Sequence, residues 1–274
     1  MAESEREQFL AEILANPSDM TPRLIFADWL EEQGDPRGEF IRIQLELSEA
    51  SENYARREEL DGRQDQLRRA HEAEWCASLK GKVTGYTFGG GFVESVEMTY
   101  DQALKYSEDL AKLIPLRRLI VSRGGRVNDR LFSLAILRTI EALRVEQMSV
   151  DPNLRGEPPK HPLANLQHLA VVQSHLTDDD VRTILKFSMP RLVYVDFSSN
   201  ELRNSAAELI ASHPIADQLQ SLTLYDNQIR VAGAMALVNS PRFQSLQYLD
   251  LERNKLTEKT QEALYRRFGD KVRL

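Results

Sequence analysis

The sequence predicts an α/β repeat protein preceded by an all-α segment, on three observations. An apolar motif returns with a period of about 27 residues through the C-terminal part of the chain. Between its copies, apolar residues stand three and four apart, the spacing of one face of a helix. The first 79 residues lack that motif and carry 19 acidic and 9 basic residues, against 23 and 26 in the remainder. So sharp a shift marks a boundary near residues 80–86, giving a helical domain over 1–80 and a repeat domain over 81–274.

The chain as a whole has 42% hydrophobic and 28% charged residues, enough apolar material for a continuous core. A formal charge of −7 supplies no basic field for nucleic acid and makes an anionic membrane a poor partner. Cys76 is the only cysteine, so no intrachain disulfide forms, which suits a reducing compartment. The N-terminal residues show neither the cationic nor the apolar region of a secretory signal, and no apolar run approaches the ~20 residues of a membrane span. These features predict a cytoplasmic protein.

Taken in order, Glu3–Ala15 predicts a helix with Phe9, Leu10, Ile13 and Leu14 on one face, stopping at Asn16-Pro17. A second helix starts at Thr21-Pro22, with threonine as cap and proline at the first position, and ends around Gln33-Gly34. Its inward residues are expected to be Leu24, Ile25, Ala27 and Leu30. A third runs from Pro36 to Leu47 with Phe40, Ile41, Ile43, Leu45 and Leu47, and a long charged helix covers Glu52–Leu79. Trp29, Phe40 and Trp75 read as core residues of a segment that caps the first repeat, since an uncapped repeat end exposes its core.

The repeat is clearest toward the C-terminus. Leu192-x-x-Val195-x-Phe197-x-x-Asn200-x-Leu202 returns as Leu219-x-x-Leu222-x-Leu224-x-x-Asn227-x-Ile229, then as Leu246-x-x-Leu249-x-Leu251-x-x-Asn254-x-Leu256, each 27 residues on. Upstream, Leu166-x-x-Leu169-x-Val171-x-x-Ser174-x-Leu176 replaces asparagine by serine. Shorter versions start at Ile140, Leu116 and Val93, for about seven strand units in all. Alternating apolar residues of each short strand point inward and the intervening ones outward. Asparagine after the strand bonds the turning backbone, and serine does so less completely. Helices are expected over Asp178–Phe187, capped by Thr177 or Asp178, and over Asn204–His213, Val231–Asn239 and Glu258–Phe268. Asp151–Pro162 holds four prolines, which forbid a regular helix; the segment reads as an extended crossover that can add to a binding surface.

These units resemble leucine-rich repeats of the ribonuclease-inhibitor type, from roughly Val83 to Leu274. The resemblance implies a right-handed solenoid with a parallel sheet on its concave face and helices on its convex face. Residues 21–44, beginning Thr21-Pro22-Arg23-Leu24-Ile25-Phe26-Ala27-Asp28-Trp29-Leu30 and running through Gly34-Asp35-Pro36-Arg37-Gly38 to Gln44, resemble the bacterial repeat-companion domain. That family implies architecture, ahead of repeats in some bacteria, and no chemistry.

Candidate chemistry is sparse. Gly89-Gly90-Gly91 resembles a phosphate-cradling loop but lacks the following lysine and hydroxyl residue, so it reads as a flexible lead-in to the first strand. Gly124-Gly125 reads as a turn standing where the asparagine would be. His71 precedes Cys76 by five residues, off the helical face, and Cys76 reads as a buried small hydrophobe. His71, His161, His168, His175 and His213 form no ligand-spaced pair, so neither a metal nor a cofactor is expected. Nothing predicts an enzyme.

The function predicted is a scaffold or adaptor that binds another protein on the outward face of the sheet. The outward places carry Tyr194, Asp196, Tyr225, Asp226, Tyr248, Asp250 and Glu252 at the C-terminal end, His168 in the middle, and Arg118, Arg123 and Arg144 toward the N-terminal end. Tyrosine and arginine dominate binding hot spots. The tyrosine-and-acid end predicts a partner with a basic patch and binding that weakens with salt. Two other classes remain: a regulator of a small GTPase, from a resemblance to the repeats of Ran GTPase-activating proteins with no functional residue matched, and a structural or oligomerising subunit.

Overall fold

The computed structural model describes residues 2–49, 54–151 and 163–274. The chain divides into two compact units, one of Met1–Met98 with Lys105–Arg118, the other of Thr99–Leu104 with Leu119–Leu274. The proline-rich crossover expected over Asp151–Pro162 lies, from residue 152 on, outside the described residues.

The first unit contains α1 (Ala2–Ala15), α2 (Thr21–Glu32), α3 (Arg37–Ser48) and α4 (Tyr54–Trp75), then a 3-10 turn at Ala77–Leu79. Two strands follow, β1 (Gly85–Gly89) and β2 (Phe92–Met98), paired antiparallel from Gly85↔Glu97 to Gly89↔Phe92. The helix α5 (Tyr100–Leu110) is divided between the two units. One apolar cluster joins Ile13, Phe26, Ala27, Leu30, Ile41, Leu45 and Phe92; a second joins Phe40, Ile43, Leu60 and Leu67, with Trp75 packed against it.

Three details differ from the sequence reading. The N-cap position of α2 is Met20, which offers no side-chain cap; the Asp19 carboxylate accepts from the Thr21 N–H at 2.9 Å, and Thr21 is itself the first helical residue. The inward face of α2 is Arg23, Phe26, Ala27 and Leu30, whereas Leu24 and Ile25 are 41% and 51% exposed. Positions 23, 26, 27 and 30 share one helical face, so an arginine takes the place that hydrophobicity alone gives to Leu24. Finally, Gly89-Gly90-Gly91 is no loose lead-in. Gly90 and Gly91, at φ +53° and +84°, form a two-residue hairpin turn, left-handed at both positions as such turns require.

The second unit carries the repeats. Its strands are β3 (Arg118–Ser122), whose Arg118 belongs to the first unit, β4 (Arg126–Val127), β5 (Ala142–Glu146), β6 (Ser149–Val150), β7 (His168–Val172), β8 (Tyr194–Asp196), β9 (Ser221–Thr223), β10 (Tyr248–Asp250) and β11 (Val272–Arg273). Its helices are α6 (Asp129–Phe132), α7 (Asp178–Ile184), α8 (Asn204–Ser212), α9 (Val231–Asn239) and α10 (Glu258–Phe268). The main sheet runs in the order β3-β5-β7-β8-β9-β10-β11, with parallel pairing from β5 onward; β4 and β6 form a separate parallel pair. This is the βα repeat solenoid that the period predicts, with α7 to α10 where helices were expected. Thr177 caps α7 in partnership with Asp180, whose carboxylate accepts from the Thr177 N–H at 2.8 Å.

The repeating leucines are buried throughout: Leu169, Val195, Leu222 and Leu249, and Val171, Phe197, Leu224 and Leu251, are each at most 5% exposed. Where β8, β9 and β10 end, an asparagine side chain takes over the hydrogen bonding. Asn227 Nδ2 donates to the carbonyls of Phe197, Leu224 and Tyr225 at 3.0, 3.1 and 3.2 Å, while its Oδ1 accepts from the Leu202 N–H at 3.0 Å. Asn200 and Asn254 do the same one repeat to either side. Ser174 is the shorter substitute: it donates to the Val172 carbonyl at 2.8 Å and accepts from the Met148 N–H at 3.4 Å. Each asparagine therefore ties its own bend to the preceding repeat.

Replacing Asn227 by alanine strands these buried backbone groups, and we expect a loss of about 3 kcal/mol in urea-unfolding stability. Asn227→Ser should cost clearly less, because a hydroxyl recovers part of the bonding. Equal losses for the two variants would refute the assignment.

Candidate functional site

On the open face of the main sheet, side chains of successive strands stand in rows. The register aligns Ala142, His168, Tyr194, Ser221 and Tyr248 in one row. Arg144, Ala170, Asp196, Thr223, Asp250 and Arg273 form the next. At ~4.8 Å per strand, Tyr194 and Tyr248 are about 10 Å apart with the small Ser221 between them.

The first row carries three ring side chains, the exposed His168 and the half-buried Tyr194 and Tyr248. The His168 and Tyr194 rings lie 5.4 Å apart. The Tyr248 hydroxyl donates to Asp250 Oδ2 at 2.9 Å, and the Arg273 guanidinium stands 5.7 Å from the Tyr248 ring. The hydroxyl bond to Asp250 orients Tyr248, which lowers the ordering cost of a contact it makes.

The second row is more covered than its outward direction suggests. Asp196 is 8% and Asp250 7% exposed, and Thr223 is buried between them. Asp196 Oδ1 accepts from the Ser198 N–H at 3.0 Å and from the Ser198 hydroxyl, and Arg144 Nη1 lies 3.7 Å from Oδ2. Arg144 Nε also donates to Glu146 at 2.8 Å. Asp250 Oδ1 accepts from the Glu252 N–H at 3.0 Å. These two aspartates act as local hydrogen-bond acceptors that brace the turn after each strand. The more open acids are Asp226, exposed and accepting from Ser199 Oγ at 3.1 Å, and the partly exposed Glu252.

Tyr225 lies just past β9 with the Arg253 guanidinium 5.3 Å from its ring. One place further along each unit, Arg123, Gln147, Gln173, Ser199, Asp226 and Arg253 all adopt positive φ, between +50° and +62°. These residues belong to the bend and not to the strand, so Asp226 and Arg123 project from the rim of the sheet. Arg123 follows β3, five strand spacings from β10, or about 24 Å. Arg118, exposed, is the last residue of the first unit. The structure therefore joins Tyr194, Asp196, Arg144 and His168 in one cluster and Tyr248, Asp250 and Glu252 in another, and leaves Arg123 apart from both.

Sequence reasoning missed Arg273, because β11 is only two residues long. Its signal was the alternation Val272-x-Leu274 after α10. With Arg253, this residue puts two arginines at the end read as acidic.

Elsewhere, Cys76 is buried as expected, and that burial pushes its thiol above the ordinary range. Among the described residues, no group of three or more histidine, cysteine or acidic side chains is placed to hold a metal ion. No described helix is long and apolar enough to cross a membrane.

Residues 245–266, which contain the last of the seven strand units, match the family described as Leucine Rich Repeat. No curated protein matches the chain. Solved structures similar to it include an internalin from Listeria monocytogenes, at 16% identity and TM-score 0.38 over 60% of this chain and 49% of that one. A Bacteroides fragilis protein is similar at 15% identity and TM-score 0.35, over 78% and 82% of the two chains. A third is the plant peptide hormone receptor RGFR1 in complex with RGF2, at 18% identity and TM-score 0.31, over 62% and 25%. The chain thus spans about half of the internalin and a quarter of the receptor.

Burial pushes the Tyr194 and Tyr248 phenols above their ordinary value near 10, with Asp196 and Asp250 respectively adding to the effect. The folded protein therefore holds both neutral after an unfolded tyrosine has ionised. Their contribution to stability is complete below pH ~10 and is lost as pH rises through the folded values. Stability measured against pH should fall more steeply above 10 in the parent than in a Tyr194→Phe, Tyr248→Phe variant. Parallel curves would contradict the assigned burial.

Proposed function

We propose that the open face of the repeat sheet binds another protein, with Tyr194, Tyr225 and Tyr248 as its central contacts. The observation that carries this reading is the row His168–Tyr194–Ser221–Tyr248, in which the His168 and Tyr194 rings pack together, Asp250 accepts from the Tyr248 hydroxyl, and the side chains are left at least partly open to solvent. Rigid amphipathic rings give large contact area at small conformational cost. Asp226 and Glu252 flank that row and accept a basic side chain of the partner, while Arg123, Arg144, Arg253 and Arg273 offer planar donors for carboxylates. Asp196 and Asp250 act through the turns and the tyrosine hydroxyl they hold. The chain serves as a non-catalytic adaptor in this reading, without cofactor, its helical part over 1–80 and its repeats over 81–274.

The test is affinity capture from the native cell, read by mass spectrometry, with the parent and with Tyr194→Ala plus Tyr225→Ala. Both tyrosines are only half-buried, so the double variant should stay folded by circular dichroism and lose capture of the principal partner by about tenfold or more, as hot-spot truncations do. Capture by the parent should weaken as salt is raised. Undiminished capture by the folded double variant would remove the open face from the function.

A further inference from the structure

Within the first unit, three polar side chains of α2 and α3 converge on one short stretch of backbone. Arg23 is wholly buried and spreads its guanidinium over three carbonyl acceptors and one carboxylate ion pair. Nη1 donates to the carbonyls of Gly89 and Gly90 at 2.9 and 3.1 Å, and Nη2 to the Pro17 carbonyl at 2.6 Å, with Glu94 Oε1 of β2 also 2.6 Å away. Arg37 Nη2 donates to the Gly91 carbonyl at 3.2 Å. Gln44 Oε1 accepts from the Gly91 N–H at 3.0 Å. The backbone of the hairpin turn is thus met group by group: three carbonyls by two arginines and one N–H by a glutamine.

The turn also fits by shape. A Cβ on Gly91 would collide with Ile41, and one on Gly90 with the Arg23 guanidinium, so both glycines are required by contact as well as by their positive φ. The next residue, Phe92, places its ring 5.4 Å from the Arg23 guanidinium, 4.7 Å from that of Arg37 and 6.2 Å from the Phe26 ring. Gly38 lets the two helices close up: a Cβ there would stand 2.7 Å from the Ala27 carbonyl. A buried cation is tolerable only when its donors and charge are met, and the hairpin supplies most of what Arg23 needs.

We infer that α2 and α3 form a receptor for a tight β-turn, and that its ligand is the Gly90-Gly91-Phe92 tip of this chain's own hairpin. The class of ligand recognised is a two-glycine turn followed by an aromatic residue, read through its backbone. Arg23, Arg37 and Gln44 are the reading residues, which gives the stretch Thr21–Gln44 a physical role in place of a chemical one. The helices and the hairpin accordingly open and close together, and a helical domain cut at residue 80 loses both the turn carbonyls and the Glu94 carboxylate that Arg23 meets.

Hydrogen exchange on the full chain, read by mass spectrometry, tests this. In the parent, amides of α2, α3 and β2 should exchange through a common opening. Gln44→Ala should speed all three together by a few fold, and Arg23→Lys by roughly tenfold or more, since a lysine ammonium does not span the three carbonyls and the carboxylate. Arg63→Gln, which removes an exposed pair with Glu39, should leave all three at the parent rate. If Arg23→Lys does not fold, Gln44→Ala carries the test alone. Acceleration of the hairpin without the helices, of the helices without the hairpin, or of neither, overturns the inference.

Discussion

At the end of every strand in the repeat unit the backbone must leave the sheet and turn through the protein interior, where water cannot reach its carbonyls. Asn200, Asn227 and Asn254 resolve this after β8, β9 and β10, with Ser174 a shorter substitute after β7, and the architecture of these later repeats depends on them. By donating to three carbonyls and accepting from the preceding repeat, Asn227 makes the bend of one unit part of the hydrogen bonding of its neighbour. The leucine rows supply the bulk of the burial and already oppose a one-residue slip, which would turn them outward. The asparagines add to the penalty, because the same slip would leave donors and carbonyls unmatched.

Much of this was legible in the sequence because its physics is local and periodic. The seven strand units, the helices between the later ones, the role of Asn200, Asn227 and Asn254, and the lesser competence of Ser174 all follow from spacing and side-chain chemistry. What escaped was either short or long-range. Strand β11 has two residues and no repeat around it. The hairpin of β1 and β2 is antiparallel in a chain whose repeat prescribes parallel pairing. Arg23 is the clearest case: no local rule buries an arginine while exposing the leucine and isoleucine beside it. Its acceptors at Gly89, Gly90 and Glu94 lie more than sixty residues away.

The open face was legible in outline and not in detail. Alternation along a strand identifies which residues leave the core, and it placed Tyr194, Tyr248 and Arg144 correctly on that side. It does not tell which outward side chains are then covered by their neighbours. Asp196 and Asp250 lie beside tyrosines and turns that claim their oxygens, so the acidity read from the sequence is only partly presented to solvent.

The row of left-handed residues after the strands has a wider consequence. Glycine relieves such a backbone most cheaply, yet the places at 123, 147, 173, 199, 226 and 253 hold arginine, glutamine, glutamine, serine, aspartate and arginine. Each non-glycine choice there gives up on the order of 1 kcal/mol. In return the repeat gains an address, one per unit, whose occupant can change from cation to amide to anion without disturbing a leucine or an asparagine. A lineage can therefore rewrite the rim one unit at a time while the interior stays as it is.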